Sequence, residues 1–420
     1  MSAAPSNRRA YRGRILTPES AAGALRYFAD GLLVVEAGRI VSVGPYAAEA
    51  ATSAVLDLRP AVLLPGFVDA HLHFPQTRVI GSASGPLLDW LDQTVFPEEA
   101  RFRDEAYARS VAAELVARLL AAGTTTSAIF SSSSEQATSV LFEALDQAGL
   151  RAAAGLTLMD QACPEGVCVP ADEALAACER LVARWHGHDG GRLTFAVTPR
   201  FALSCSRALM EGAARIARDH DLLIQTHIAE NPAEGEAVLA AHPWGGDYLG
   251  IYEKAGLLGP RTLLAHAIHL SASEWDRAAA LGVSVAHCPD SNFFLGSGRM
   301  RLHEAESRRV PVGLGSDVAA GRSFDLRRAM AHAYDNALAL GVSVPPARLL
   351  RLATLGGAEA LGLAAETGSL EAGKSADFIA VSLPEYVDTE GAILAQLAFG
   401  DSGRVERVFI RGERVFAAHP

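Results

Sequence analysis

Eight short apolar runs alternate with segments of helical period between residues 66 and 317, and this alternation constrains the fold more than any other feature. Strands that are buried on both faces of a parallel sheet read as continuous apolar runs, and crossover helices separate them. Eight such units over about 250 residues predict an α/β fold, the (β/α)8 barrel of the TIM type. The runs lie at 66–73, 124–130, 151–158, 193–200, 222–228, 262–267, 283–288 and 312–317. The predicted helices include 104–121, 135–148, 171–185, 206–219, 273–280 and 324–339.

The two ends of the chain lack the alternation of apolar runs and helical segments that marks the middle. Short β-like runs separated by glycine turns occupy residues 11–64 and 366–420, including two runs joined at Ala37-Gly38 that indicate a hairpin. We expect these ends to meet in space as one small β-sandwich domain. The barrel then spans 65–365, and residues 1–10 form a disordered tail.

Charge and composition exclude several classes of protein. The 48 acidic residues exceed the 37 basic ones and give a net charge of −11, which opposes a nucleic-acid partner. No stretch approaches the roughly 18 uninterrupted apolar residues of a membrane span, and no apolar run follows the N-terminal arginines as in a secretory signal. The five cysteines are an odd and sparse set, which suits reduced thiols in the cytoplasm.

Metal-binding residue types stand where several predicted strands end. His71 and His73 are two residues apart on one strand, so their side chains point to the same face. His227 and Asp317 end two further strands, and catalytic residues of such barrels lie at the C-terminal ends of strands. Three histidines and one aspartate, with one position left for water, fit a catalytic zinc or iron(II) site.

The two lysines of the chain bear on how many metal ions the site holds. A binuclear alternative in barrels of this kind needs a carboxylated lysine at the end of the fourth strand. Lys254 lies in a helix-like segment and Lys374 in the C-terminal β-rich region, whereas the fourth run ends at Arg200. The sequence therefore predicts a mononuclear site.

Several motifs resemble the amidohydrolase superfamily: PGFVDAHLH, GTTT, the histidines of LIQTHIAE and LLAHAIHL, and the aspartate of GLGSD. Within it the chain resembles the guanine deaminase family, from about residue 11 to 418. The specific motifs are HLHFPQ (71–76), LLDWLDQTVFPEEARF (87–102), VTPRFALSCS (197–206), QTHIAEN (225–231), AHCPDSN (286–292) and GLGSDVAAG (313–321). FSSSSEQAT (130–138) and Asp290 depart from the family pattern, which bears on loop contacts and substrate breadth.

The resemblance implies hydrolytic deamination of guanine to xanthine and ammonia, with one zinc ion per subunit or iron(II) in its place. The bound metal lowers the pKa of a water molecule and so supplies a nucleophile near neutral pH. Glu230, three residues after His227, is the expected proton shuttle. Asp317 is a second candidate base, and His266 is expected to orient the water.

Recognition of a purine requires donors for its carbonyl group and acceptors for its N–H groups. Arg200 can donate twice to that carbonyl, and Gln76 offers both a donor and an acceptor. Phe201 is expected to stack on the ring or to pack, and His227 and Glu230 also contact the substrate. The resemblance further implies a homodimer that acts on a small purine, with no nucleic-acid or membrane partner.

Of three alternative functions, the sequence leaves the first one open. A related hydrolase acting on another amino-substituted ring (pterin, 8-oxoguanine, triazine or cytosine) would keep the same metal ligands and differ only in its pocket. A metal-free scaffold protein would have lost ligands, and a nucleic-acid deaminase would need an H-x-E and P-C-x-x-C pattern that the sequence lacks. His269 and His287 are expected to be structural.

Overall fold

The computed structural model describes residues 8–20, 24–47, 55–82 and 85–418. Within these ranges no helix has the length and apolar character needed to cross a bilayer. Most of the predicted tail lies outside the described residues. Its last part does not match the prediction, because the first strand already begins at Arg8.

Both chain ends contribute strands to one sheet of seven strands. They are β1 (Arg8–Pro18), β2 (Leu25–Glu36), β3 (Arg39–Pro45), β4 (Val55–Pro65), β14 (Phe378–Ser382), β15 (Arg404–Ile410) and β16 (Glu413–Ala417). Their order across the sheet is β16-β15-β14-β4-β1-β2-β3. The pairs are antiparallel except for β1 with β4, which run parallel. The predicted hairpin at Ala37-Gly38 joins β2 and β3.

The side chains of β4 alternate between two hydrophobic cores, which shows how this sheet packs on the rest of the molecule. Val62 and Leu64 join the large core shared with the barrel, whereas Leu63 faces a second core with Tyr11 and Phe378. Successive side chains of a strand point to opposite faces, so one face of the sheet packs toward the barrel. The small domain expected from both chain ends is thus present as a continuous sheet; its limits at 64 and 366 stay a prediction.

The middle of the chain forms the predicted barrel. Eight parallel strands run in the order β5-β6-β7-β9-β10-β11-β12-β13, and the two-residue strand β8 extends the line of β7 beside β9. The strands are β5 (Phe67–His73), β6 (Thr124–Phe130), β7 (Arg151–Gly155), β8 (Thr157–Leu158), β9 (Leu193–Pro199), β10 (Leu223–Ile228), β11 (Thr262–His266), β12 (Ser284–His287) and β13 (Val312–Leu314). The sheet at the chain ends adds β14 (Phe378–Ser382), β15 (Arg404–Ile410) and β16 (Glu413–Ala417).

Two backbone hydrogen bonds close the barrel between its first strand and the segment that follows its last. Asp317 N–H donates to the His71 carbonyl at 2.8 Å, and His73 N–H donates to the Val318 carbonyl at 3.1 Å. The closure therefore occurs at the mouth of the barrel and brings the ends of β5 and β13 together.

Helices cover the outside of the barrel, and their ends carry the expected capping residues. Asp104 and Ser134 cap two helices through their side chains, and Gly123 and Gly149 end the same helices with φ of +81° and +73°. The helical segments are Leu87–Trp90, Phe96–Ala100, Glu105–Ala122, Glu135–Ala148, Ala171–Trp185, His188–Gly191, Arg207–Asp219, Pro232–Ala241, Tyr248–Lys254, Ala272–Leu281, Pro289–Phe294, Leu302–Ser307, Leu326–Leu338, Pro346–Arg351, Gly357–Ala360 and Glu390–Phe399. Each of the six helices predicted from periodicity is present with its ends within two residues of the prediction.

Candidate active site

Four side chains that the sequence marked as metal ligands meet at the mouth of the barrel. His71 and His73 project from β5, His227 from β10, and Asp317 from the segment after β13. One ligand atom from each lies within 4.8 Å of the others. Asp317 has φ of +48°, a left-handed conformation that turns its carboxylate toward the histidines.

The arrangement of nitrogen atoms in this group suits coordination of a cation better than hydrogen bonding among the side chains. His73 Nε2 lies 3.1 Å from His227 Nε2, and His71 Nε2 lies 3.2 Å from Asp317 Oδ1 without hydrogen-bond geometry. His227 Nδ1 donates to the Arg200 carbonyl at 2.6 Å, so in the neutral ring Nε2 carries a lone pair that faces the cluster. Buried imidazole nitrogens without hydrogen-bond partners, beside a carboxylate, are the donor set of a divalent metal.

Burial keeps His73 and His227 in the form that binds metal. Burial, followed by the charges of His71 and His73, holds the pKa of His227 well below its ordinary value. Burial is also the main cause that lowers the pKa of His73 to about 3. Neutral imidazoles are therefore present at neutral pH, as coordination requires.

Glu230 lies next to this cluster and is 3% exposed. Its Oε1 accepts a hydrogen bond from the Ser297 hydroxyl at 3.0 Å, and its Oε2 lies 3.5 Å from His266 Nε2. Burial, reinforced by the negative charge of Asp317, raises the pKa of Glu230 to about 8. A carboxyl group with this pKa can both accept and donate a proton near neutral pH.

A capping box fixes the backbone that carries Glu230. The Glu234 carboxylate accepts from the backbone N–H groups of Glu230 at 2.8 Å and Asn231 at 3.0 Å, and from the Tyr248 hydroxyl. Asn231 in turn caps the helix Pro232–Ala241. Glu234 was not identified from the sequence, although Asn-x-x-Glu is a capping signal that could have found it.

A cavity lies above the cluster and brings together most of the predicted site residues. Within it, an apolar wall is formed by Leu87, Trp90, Leu91 and Leu295, of which the first three lie in the 87–102 motif. His71 lies behind the cavity wall, in contact with Asp317. The predicted residues on the wall are His73, Gln76, Arg200, Phe201, His227, Glu230, His266 and Asp317.

The 130–138 segment, which departs from the family pattern, runs from the end of β6 into the helix Glu135–Ala148 and begins with an aromatic support for the cluster. The Phe130 ring centroid lies 4.9 Å from that of His71, 4.8 Å from that of His73 and 4.7 Å from that of His227. Phe130 is fully buried at the end of β6. The three imidazoles therefore pack on one ring, which limits their rotation.

Neither lysine reaches the site. Lys254 Nζ donates to the carbonyls of Trp244 and Gly245 at 2.9 Å, and Lys374 Nζ donates to Ser20 and Ser369. The residue that follows the fourth barrel strand is Arg200. This agrees with the prediction of a site without a bridging lysine.

Asp290, the second departure, anchors the segment that follows Asp317. Its carboxylate accepts from the backbone N–H of Arg322 at 2.7 Å and from the Arg322 guanidinium, and His332 Nε2 lies 3.1 Å away. Arg328 also faces it at 3.6 Å. Burial acts to raise the pKa of Asp290, but hydrogen bonds from His332 and Arg322 outweigh it and hold the pKa at about 2.

Asp290→Asn should therefore destabilise the protein at pH 7 and much less at low pH. The lowered pKa corresponds to roughly 2 kcal/mol of stability that is present above pH 4 and is lost as the pH falls toward 2. Scanning calorimetry at pH 7 and pH 3 should show a Tm difference from wild type that shrinks at the lower pH. Asp276→Asn, which removes an exposed partner of Arg308, should change Tm little at either pH. An equal Tm loss at both pH values would show that the charge of Asp290 is not the cause.

Comparison with known proteins places these residues in a family context. Residues 62–415 match the amidohydrolase family. A probable guanine deaminase from Deinococcus radiodurans is 39% identical, over 97% of this chain and 98% of its own length. A guanine deaminase from Escherichia coli K12 is 34% identical, over 95% and 94% respectively. The crystal structure of a guanine deaminase from C. acetobutylicum with bound guanine superposes with a TM-score of 0.92, at 29% identity, over 98% of this chain and all of the other.

Proposed function

Because the chain belongs to the amidohydrolase family, a family of metal-dependent hydrolases, we propose that it deaminates guanine to xanthine and ammonia with one zinc ion. The enzyme is a hydrolase of C–N bonds, and its similarity to guanine deaminases of bacteria and eukaryotes extends over most of the chain. The observation that carries the proposal is the cavity itself. His73, His227 and Asp317 of the cluster line this cavity. Glu230, Arg200 and Gln76 line it as well.

Each part of the cavity has a task in this reaction. A zinc ion held by His71, His73, His227 and Asp317 would supply Lewis-acid activation of a water molecule. Glu230 can take one proton from the water molecule and pass it to a ring nitrogen, because its pKa lies near 8. It can then pass the second proton of the water to the departing amine, which leaves as ammonia. His266 Nδ1 lies 2.9 Å from Asn292 Oδ1, which leaves Nε2 facing Glu230 and Asp317.

The remaining residues bind and orient the ring. The guanidinium of Arg200 and the amide of Gln76 are donors for a purine carbonyl, and Phe201 offers its aromatic side chain. The apolar wall of Leu87, Trp90, Leu91 and Leu295 excludes bulk water from a flat heterocycle. A low-dielectric cavity strengthens each of these polar contacts.

A substrate panel tests the proposal. The zinc-loaded enzyme should convert guanine with a kcat/KM at least about 100-fold above that for adenine, cytosine, 8-oxoguanine and a pterin, because a site built to hydrogen-bond one ring leaves its polar groups unpaired with another. Ultraviolet absorbance and ammonia release both report the reaction. If another member of the panel has a higher kcat/KM, that compound and not guanine is the substrate.

Three finer parts of the proposal have separate tests. Three nitrogen ligands and one carboxylate suit zinc, although iron(II) accepts a similar set, and metal analysis of protein purified without added metal distinguishes them. The five cysteines are free thiols, which suits a cytoplasmic location that cell fractionation can check. We propose a homodimer by family resemblance, with no nucleic-acid or membrane partner, and light scattering measures the mass of the assembly.

A further inference from the structure

A carboxylate behind the cavity wall contacts both residues that face the proposed purine carbonyl. Glu99 lies on the helix Phe96–Ala100 and is 2% exposed. Its Oε2 accepts from Arg200 Nη1 at 2.6 Å, and its Oε1 lies 3.4 Å from Gln76 Nε2. Each oxygen of one carboxylate thus has its own partner on the wall.

Glu99 compensates the charge of a buried arginine. The Arg200 side chain is 4% exposed and that of Glu99 is 1% exposed, so neither charge is solvated by bulk water. A buried guanidinium without a counter-ion is strongly unfavourable, which makes the ion pair a condition for placing Arg200 in this wall. Within the described part of the chain, this is the one side-chain hydrogen bond of Arg200, and its other N–H groups remain for a ligand.

Glu99 and the Ala319 backbone together determine which end of the Gln76 amide faces the substrate. Ala319 N–H donates to Gln76 Oε1 at 3.0 Å, and a backbone N–H can only donate, so the oxygen of this amide must point to Ala319. The NH2 group then points to Glu99, whose carboxylate has acceptor oxygens and no donor. The two contacts agree, and Gln76 is held in one orientation with its second N–H free for an acceptor.

We propose that Glu99 is a positioning residue for substrate specificity, which holds the Arg200 guanidinium and the Gln76 amide together as a donor pair for the carbonyl of the purine. This rests on the proposed function. An amide at position 99 could not replace the carboxylate, because it has one acceptor oxygen for two donors. Its NH2 group would have to face either Arg200 or Gln76, donor against donor.

Kinetics of Glu99→Gln test this role. The KM for guanine should rise by about 10- to 100-fold, the range expected for lost hydrogen bonds to charged groups, while kcat should change by less than about threefold. Glu99→Asp keeps the charge and should recover part of the loss. A KM within about twofold of wild type in Glu99→Gln would overturn the proposal.

Glu98→Gln is the matched control. Glu98 is the preceding residue on the same helix and is also buried, but it accepts from Arg101 at 2.8 Å and from Tyr107, away from the cavity. This variant should lower Tm without changing the KM for guanine. Equal changes of KM in both variants would show that the helix acts only as a structural support.

A crystal structure of Glu99→Gln separates this proposal from the proposed function. It should show Arg200 displaced or the Gln76 amide rotated away from Ala319, whatever the substrate of the enzyme is. Unchanged positions of both side chains would overturn the positioning role. Absence of guanine turnover in the wild-type enzyme would instead overturn the proposed function, and the structure of the variant would still decide the role of Glu99.

Discussion

Glu230→Gln should lower kcat for guanine by about two to four orders of magnitude, the range that general acid–base catalysis contributes. The amide can still accept the hydrogen bond from Ser297, so the side chain should keep its place, but it cannot carry a proton between water and the ring. Because Glu230 is outside the group of four ligands, metal content should stay at the wild-type value. Single-turnover kinetics and metal analysis of the same preparation measure both effects.

Glu236→Gln controls for the loss of a carboxylate in this part of the chain. Glu236 is exposed on the helix that follows Glu230, and its replacement should leave kcat unchanged. Turnover by Glu230→Gln within about threefold of wild type would exclude Glu230 as the proton shuttle. Asp317 and His266 would then be the remaining candidates.

Asp317→Asn should abolish tight metal binding and reduce activity by at least about a thousandfold, since a catalytic metal is worth several kcal/mol of transition-state stabilisation. The backbone N–H of Asp317 still donates to His71, so the barrel should remain closed at this point. Metal content per chain, measured after dialysis, should fall with the activity. Circular dichroism should stay close to that of wild type.

Asp325→Asn is the control for this substitution. Asp325 caps the helix Leu326–Leu338 and pairs with Arg327, so its loss should affect stability and leave metal content unchanged. Wild-type metal content in Asp317→Asn would remove Asp317 from the ligand set. Loss of metal from both variants would indicate general disruption of the region after β13.

The barrel and the cluster of His and Asp side chains at its mouth could be predicted from the sequence because both depend on short-range patterns. Each strand is a continuous apolar run, and His71 and His73 share a face because they are two residues apart on one strand. The position of Asp317 near these histidines could be predicted from the rule that the C-terminal ends of parallel strands meet at one rim of a barrel. The motifs of the guanine deaminase family then indicated Glu230, Arg200 and Gln76.

The contacts behind the cavity wall could not be predicted, because they join residues far apart in the chain. Glu99 meets Arg200, which follows it by 101 residues, and Ser297 reaches Glu230 across 67 residues. No local periodicity marks such pairs. Arg200 was expected to offer two donors to one carbonyl, whereas one of its terminal nitrogens is already bound to Glu99.

The sheet built from both chain ends has a consequence for synthesis on the ribosome. β4 pairs with β1 on one side and with β14 on the other, and β14 begins more than 300 residues after β4 ends. At about 5 to 20 residues per second, the nascent chain exposes the second edge of β4 for roughly 15 to 60 s before its partner is translated. An unpaired strand edge is a site for association between chains, so we expect translation to be the stage at which this enzyme is most prone to aggregate.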